Sequence, residues 1–179
     1  MRETDEDLDA LQELLDRSYE AAGAHLHRVI GPQRRVGAAE LAARLTGMRL
    51  LVLATVTADG RPIAGPVDGI FYRGAFYFGS SPDSVRFRHI RARPQVSASH
   101  LPGEEFAVTV HGRAVLVDVR APEGAGLREV LLDVYTPRYG AGWEAFLDGD
   151  PLAGGDQVSA GAPLYARIAA ERMFTFQLT

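Results

Sequence analysis

Ser80, Ser81, Ser84 and Arg86 are the residues of this 179-residue chain best suited by type and spacing to holding an anion. They open the segment Ser-Ser-Pro-Asp-Ser-Val-Arg-Phe-Arg-His-Ile-Arg-Ala-Arg-Pro, residues 80–94, just after the aromatic strand pattern ending at Tyr77 and Phe78. Ser81 suits a helix N-cap and Pro82 the first helical position, where a missing N–H costs nothing. The helix should stop before Pro94, because a residue preceding proline avoids helical backbone angles. Free N–H groups at that helix start, the serine hydroxyls and the Arg86 guanidinium together suit a phosphate group. The same residues also permit a plain cap, with Asp83 complementing the helix dipole.

Helical spacing puts Arg86, His89 and Arg93 on one side and Arg88 and Arg91 on another with Ser84, leaving Phe87 and Ile90 to pack inward. Arginine as such carries little information here, since it supplies all 19 basic residues. The net charge of −4 argues against a general nucleic-acid binder, which needs a basic surface to neutralise phosphates. With no cysteine, disulfides, thiolate metal sites and a cysteine nucleophile are excluded. Of the five histidines only His25 and His27 have ligand-like spacing, and they read as surface or packing residues, so no metal site is expected. No dinucleotide fingerprint, Walker lysine, zincin helix or nucleophile elbow is present. There is no apolar run near the ~20 residues of a membrane span, and the acidic Met1–Asp9 start is unlike a signal peptide, which leads us to expect a soluble cytoplasmic protein.

The elements that must position residues 80–94 follow from periodicity. Leu8, Leu11, Leu15, Tyr19 and Ala22 recur at helical spacing from Asp5 to about Ala24, and Ala38 to Thr46 reads as a second, short helix before Gly47. Residues 1–46 thus form a helical arm, and 47–179 a barrel domain. Strands are expected at Leu50–Thr57, Pro62–Tyr72, Ala75–Gly79, Gln95–Leu101, Glu105–Asp118 and Pro163–Leu178, with turns at Asp59-Gly60, Arg73-Gly74 and Pro102-Gly103. Helices are expected at Pro122–Tyr135 and around Trp143, Phe146 and Leu147, and a Gly-rich loop at Gly149–Pro163. Closely spaced strands with hairpin turns favour a mainly β fold, an antiparallel barrel of about six strands with flanking helices, over a parallel sheet.

Five pieces in order carry a resemblance: Leu-Ala-Thr-Val-Thr-Ala-Asp-Gly-Arg-Pro at 53–62, Gly65-Pro66-Val67, Phe76 to Ser80, Ser84 to Ile90 with Pro94-Gln95-Val96, and Val110 to Ala114. Over residues 48–120 this resembles the pyridoxamine 5′-phosphate oxidase-like flavin-binding split barrels, which are of Greek-key type. The resemblance implies a homodimer with flavin sites at the subunit interface and a small-molecule substrate. It places the cofactor phosphate at Ser80, Ser81, Ser84 and Arg86, and the flavin ring along Pro66, Val67 and Asp68. FMN is the implied cofactor of an oxidoreductase that passes hydride or electrons to a small organic acceptor. A deazaflavin (coenzyme F420) reductase and a non-catalytic flavin- or haem-binding protein are the alternatives on the same fold. Residues that bind pyridoxal phosphate in the true oxidase are not recognisable in the C-terminal segment. Asp68 and His100 are the candidates for orienting substrate or delivering a proton; as plain structural residues, Asp68 would cap a turn and His100 would end a strand at the surface.

Overall fold

The computed structural model describes residues 2–150 and 161–178. Six antiparallel strands, β1 (Met48–Val56), β2 (Pro62–Tyr72), β3 (Ala75–Ser80), β4 (Gln95–His100), β5 (Phe106–Val117) and β6 (Leu164–Gln177), close into a barrel in the order β1-β2-β3-β6-β5-β4. The expected β architecture and its Greek-key order are present. Register fixes which side chains enter the barrel: Leu51 faces Val67 across β1 and β2, and Leu53 faces Ala98 across β1 and β4. These positions alternate with outward ones, so Leu51, Leu53, Phe76, Phe78, Val108 and Ile168 fill the interior while Leu50, Val52, Pro66 and Asp68 lie on the outer side. At the shift between His111 and Gly112 the backbone of Gly112 approaches the Ala169 carbonyl so closely that a Cβ there would collide with it.

Flanking helices occupy both sides of the molecule. The arm contains α1 (Asp5–Glu20), α2 (Ala24–Val29) and α3 (Ala38–Arg44). α1 buries Leu11, Leu15, Ser18 and Tyr19. Pairing between β3 and β6 covers only the start of β6, residues 164–167, which leaves backbone donors open further along. The arm closes that edge: the Ser18 hydroxyl accepts from the Met173 N–H at 2.9 Å and the Tyr19 hydroxyl from the Thr175 N–H at 2.8 Å. The apolar stripe of α1 is therefore spent on its own barrel, and Leu11, Leu15 and Leu41 join the barrel core. On the other side α5 (Ala125–Tyr139) and α6 (Gly142–Leu147) cover the outer face of β2, β3 and β6, burying Leu127, Leu131 and Leu147 against Ile70 and Tyr165. α5 continues past the expected end at Tyr135, carrying Pro137 inside its last turn. Among the described residues no helix is long and apolar enough to cross a membrane.

The start of α1 supports a test of how the arm is held. Thr4 and Asp7 form a reciprocal capping box, and Asp7 also meets Arg73 at 3.1 Å, across the tight turn where Arg73 has a φ of +50°. Burial alone would raise the Asp7 carboxyl, yet the Thr4 N–H and Arg73 together hold it below its ordinary 3.8. Asp7→Ala should cost about 1 kcal/mol in a denaturant titration at neutral pH. A carboxyl lowered by folding stabilises above its unfolded value and loses that contribution as pH falls through the lowered one. The gap between Asp7→Ala and the native chain should therefore close below 3.8; a gap constant down to acid would show that the charge is idle.

Candidate functional site

α4 (Val85–Ala92) packs on the barrel core beside β1, and its sequence explains why. Phe87 and Ile90 are 0% and 3% exposed and pin it to the barrel, where Phe87 stacks on Phe78 with ring centroids 6.0 Å apart. The side carrying Arg86, His89 and Arg93 then faces the strands. The Arg86 guanidinium donates to the Pro66 carbonyl at 2.9 Å, and Arg93 Nε to the Val56 carbonyl at 3.1 Å. His89 Nδ1 pairs with the Thr55 hydroxyl at 2.9 Å.

The helix begins three residues later than Ser81 and Pro82 suggest. Ser84 is the N-cap, its hydroxyl accepting from the Phe87 N–H at 3.2 Å. Ser81 instead opens a turn closed by the Ser84 N–H on the Ser81 carbonyl, and its hydroxyl donates to Asp83. That bond is the first reason the Asp83 carboxyl lies below its ordinary value. Arg88 and Arg91 donate to the Asp83 and Pro82 carbonyls at 2.9 and 3.0 Å, which fastens the turn to the helix.

Between α4 and the β1–β2 hairpin lies a groove of about 220 Å³ lined by Leu53, Thr55, Ile63, Ala64, Gly65, Ser84, Val85 and Arg86. No carboxylate is among these residues, and Arg86 makes no ion pair among the described residues. Burial pulls its guanidinium below its usual pKa, as expected of a cation taken partly out of water without a counter-charge. The Ser84 hydroxyl accepts at its cap and keeps its own proton for another partner. An unpaired guanidinium, a donor hydroxyl and the first N–H groups of α4 converge here, and this donor set fits a phosphate group.

Ser80 and Ser81 are in a neighbouring cavity instead. That cavity, about 210 Å³, lies on the outer face of β2, β3 and β6 beneath α5 and α6, lined by Asp68, Gly79, Ser80, Ser81, Tyr135, Tyr139, Trp143, Phe146, Pro163 and Tyr165. Gly79 shapes it: Tyr165 crosses the backbone there so closely that a Cβ would stand 2.7 Å from its ring. Asp68 reaches it from the middle of β2, three residues on from Gly65 of the groove, or roughly 10 Å along the strand. Asp68 is thus not a turn cap. Its partner is the Tyr135 hydroxyl, donating at 3.5 Å. Burial first, and the Asp68 charge second, push the Tyr135 and Tyr165 hydroxyls well up, so both stay protonated donors.

The other expected residues divide. Pro66 is exposed beside the groove, and Val67, 7% exposed, points into the barrel and offers only its backbone. His100 is not at the surface: it is 8% exposed and its Nδ1 is hydrogen-bonded to the Leu50 carbonyl at 2.9 Å. It lines neither the groove nor the cavity. His25 and His27 are exposed, and no group of three metal-ligating side chains occurs among the described residues. The aromatic wall of α5 and α6 escaped sequence reasoning, which saw Trp143 and Phe146 only as a helix pattern. Of the Gly149–Pro163 loop, residues 151–160 lie outside the described residues.

Solved structures share this architecture. A conserved hypothetical protein of Mycobacterium tuberculosis superimposes with a TM-score of 0.61 and 22% identity, covering 82% of this chain and 88% of its own. A FAD-binding protein of Mesorhizobium loti gives a TM-score of 0.53 and 23% identity over 79% of this chain and 93% of its own. The heme storage protein HutZ of Vibrio cholerae gives 0.53 and 18% over 78% and 90%. At these identities the likeness is one of fold. No curated protein matches the sequence. The family profile described as pyridoxamine 5′-phosphate oxidase matches residues 38–146, from α3 through all of the groove to α6. That match spans well over half of the chain, so this protein belongs to the pyridoxamine 5′-phosphate oxidase family.

Proposed function

We propose that the protein is a cytoplasmic, homodimeric FMN-binding oxidoreductase that passes hydride or electrons to a small organic acceptor. One observation carries the reading: the half-buried Arg86, without a carboxylate, beside the Ser84 cap of α4. These two residues would hold the cofactor phosphate, with the backbone of Pro66, Val67 and Asp68 alongside the ring, while Ser80 at the end of β3 lines the neighbouring cavity. Bound FMN supplies the hydride chemistry; the chain supplies anchoring, orientation and exclusion of water. The dimer rests on apolar side chains around the groove: Leu50, Val52, Ile63, Val85 and Leu101 are all between 46% and 60% exposed. Leu50 and Val52 share the outer face of β1, and such a patch calls for a partner surface.

F420-dependent reduction is the second reading, favoured by Arg88 and Arg91, which are exposed and make no ion pair among the described residues. They would offer a positive path to the anionic tail that continues beyond the deazaflavin's phosphate.

Sedimentation velocity recorded at the protein and flavin absorption bands tests both parts. The expected species has about twice the 19.4 kDa chain mass and carries flavin absorbance. A monomer that retains flavin would contradict the interface site. Haem or deazaflavin absorbance in the same boundary would replace FMN, and tight, strongly salt-sensitive F420 binding would favour the second reading.

A further inference from the structure

The cavity beneath α5 and α6 has a chemistry that phosphate anchoring does not use. Asp68 forms no ion pair among the described residues. A carboxylate set among aromatic rings without a counter-ion gains most from an added cation. Aromatic rings line the same cavity. Tyr135 and Trp143 have centroids 4.8 Å apart, and Tyr139 and Trp143 5.2 Å, forming a continuous aromatic wall. Cations are drawn to the electron-rich faces of such rings. Trp143 is 8% exposed, and its indole N–H is buried with no acceptor among the described residues. An anion would meet the Asp68 charge, and a neutral apolar molecule would leave that carboxylate with the Tyr135 hydroxyl and no counter-charge.

We propose that this cavity binds a small organic cation, a protonated amine or an N-alkylated nitrogen, with its charge against Asp68 and its body among Tyr135, Tyr139 and Trp143. Binding of the cation stands on these residues alone; its assignment as the charged end of the acceptor rests on the flavin reading.

Trp143 is the sole tryptophan of the chain, so its fluorescence reports on the cavity directly. The full-length protein, cofactor-free and FMN-saturated, is titrated with phenyltrimethylammonium and with its neutral isostere tert-butylbenzene. The cation should bind at least about tenfold more tightly than the isostere, and Asp68→Asn should remove about that factor. Tyr139→Leu changes a residue that is 42% exposed, which spares the fold, and should weaken the cation severalfold. Equal binding of the two probes overturns the proposal, as does unchanged cation affinity in Tyr139→Leu or in an Asp68→Asn protein of native circular dichroism. FMN absorbance in the same samples separates the two readings. Cation binding without FMN binding leaves the cavity assignment standing and defeats the flavin reading, and FMN binding without cation binding does the reverse.

Discussion

Replacing Arg86 by alanine should weaken FMN binding roughly ten- to a hundredfold, the loss of one charge-assisted contact worth about 1.5–3 kcal/mol. The size follows from its setting. The guanidinium is half-buried, has no carboxylate partner among the described residues, and is held over the groove by the Pro66 carbonyl. Arg91→Ala is the comparison, because Arg91 is exposed and its guanidinium is directed to the Pro82 carbonyl of the preceding turn. Its removal should change FMN affinity by less than about threefold, in keeping with an exposed charge. Equal losses in the two variants, with folding intact, would remove the phosphate site from this groove.

Phe87→Ala should be the most damaging single change near the site. The side chain is fully buried, stacks on Phe78 inside the barrel and is one of two residues that dock α4. Truncating a buried phenylalanine costs about 3–5 kcal/mol, out of a total domain stability of about 5–15. For a chain of this length that lowers the melting midpoint by roughly 6–20 °C. Because Ser84 and Arg86 ride on the same helix, FMN affinity should fall with it, whereas Asp7→Ala, acting at the arm, should leave FMN affinity intact. A Phe87→Ala protein less than about 1 kcal/mol weaker would mean that α4 is held by something other than its buried face.

Strands were legible because their signals are local. Asp59-Gly60 and Arg73-Gly74 bracket β2, and the expected Pro62–Tyr72 span agrees with the structure residue for residue. The site was legible in part. Ser84 and Arg86 share the groove, but the cap fell on Ser84 because Ser81 has a competing use, closing a turn and bonding Asp83. No sequence rule ranks two serines three residues apart when both can cap. α2 went unseen since Gly23 offers no capping side chain and no residue of the helix is buried, so there is no apolar stripe to read. The cavity is tertiary: the helical pattern of Leu127, Val130 and Leu131 shows that α5 buries a face, without showing that β2, β3 and β6 receive it. The same limit hid the burial of His100, which depends on the Leu50 carbonyl of a strand fifty residues away.

The central claim is that a flavin is anchored by its phosphate at Ser84 and Arg86. Its most direct test compares FMN with riboflavin, which lacks only the phosphate, on the native chain and on Arg86→Ala. FMN should bind the native chain roughly ten- to a hundredfold more tightly than riboflavin, and Arg86→Ala should erase most of that difference while leaving riboflavin affinity unchanged. Equal affinity of the native chain for FMN and riboflavin, or a difference that survives Arg86→Ala in full, would contradict it.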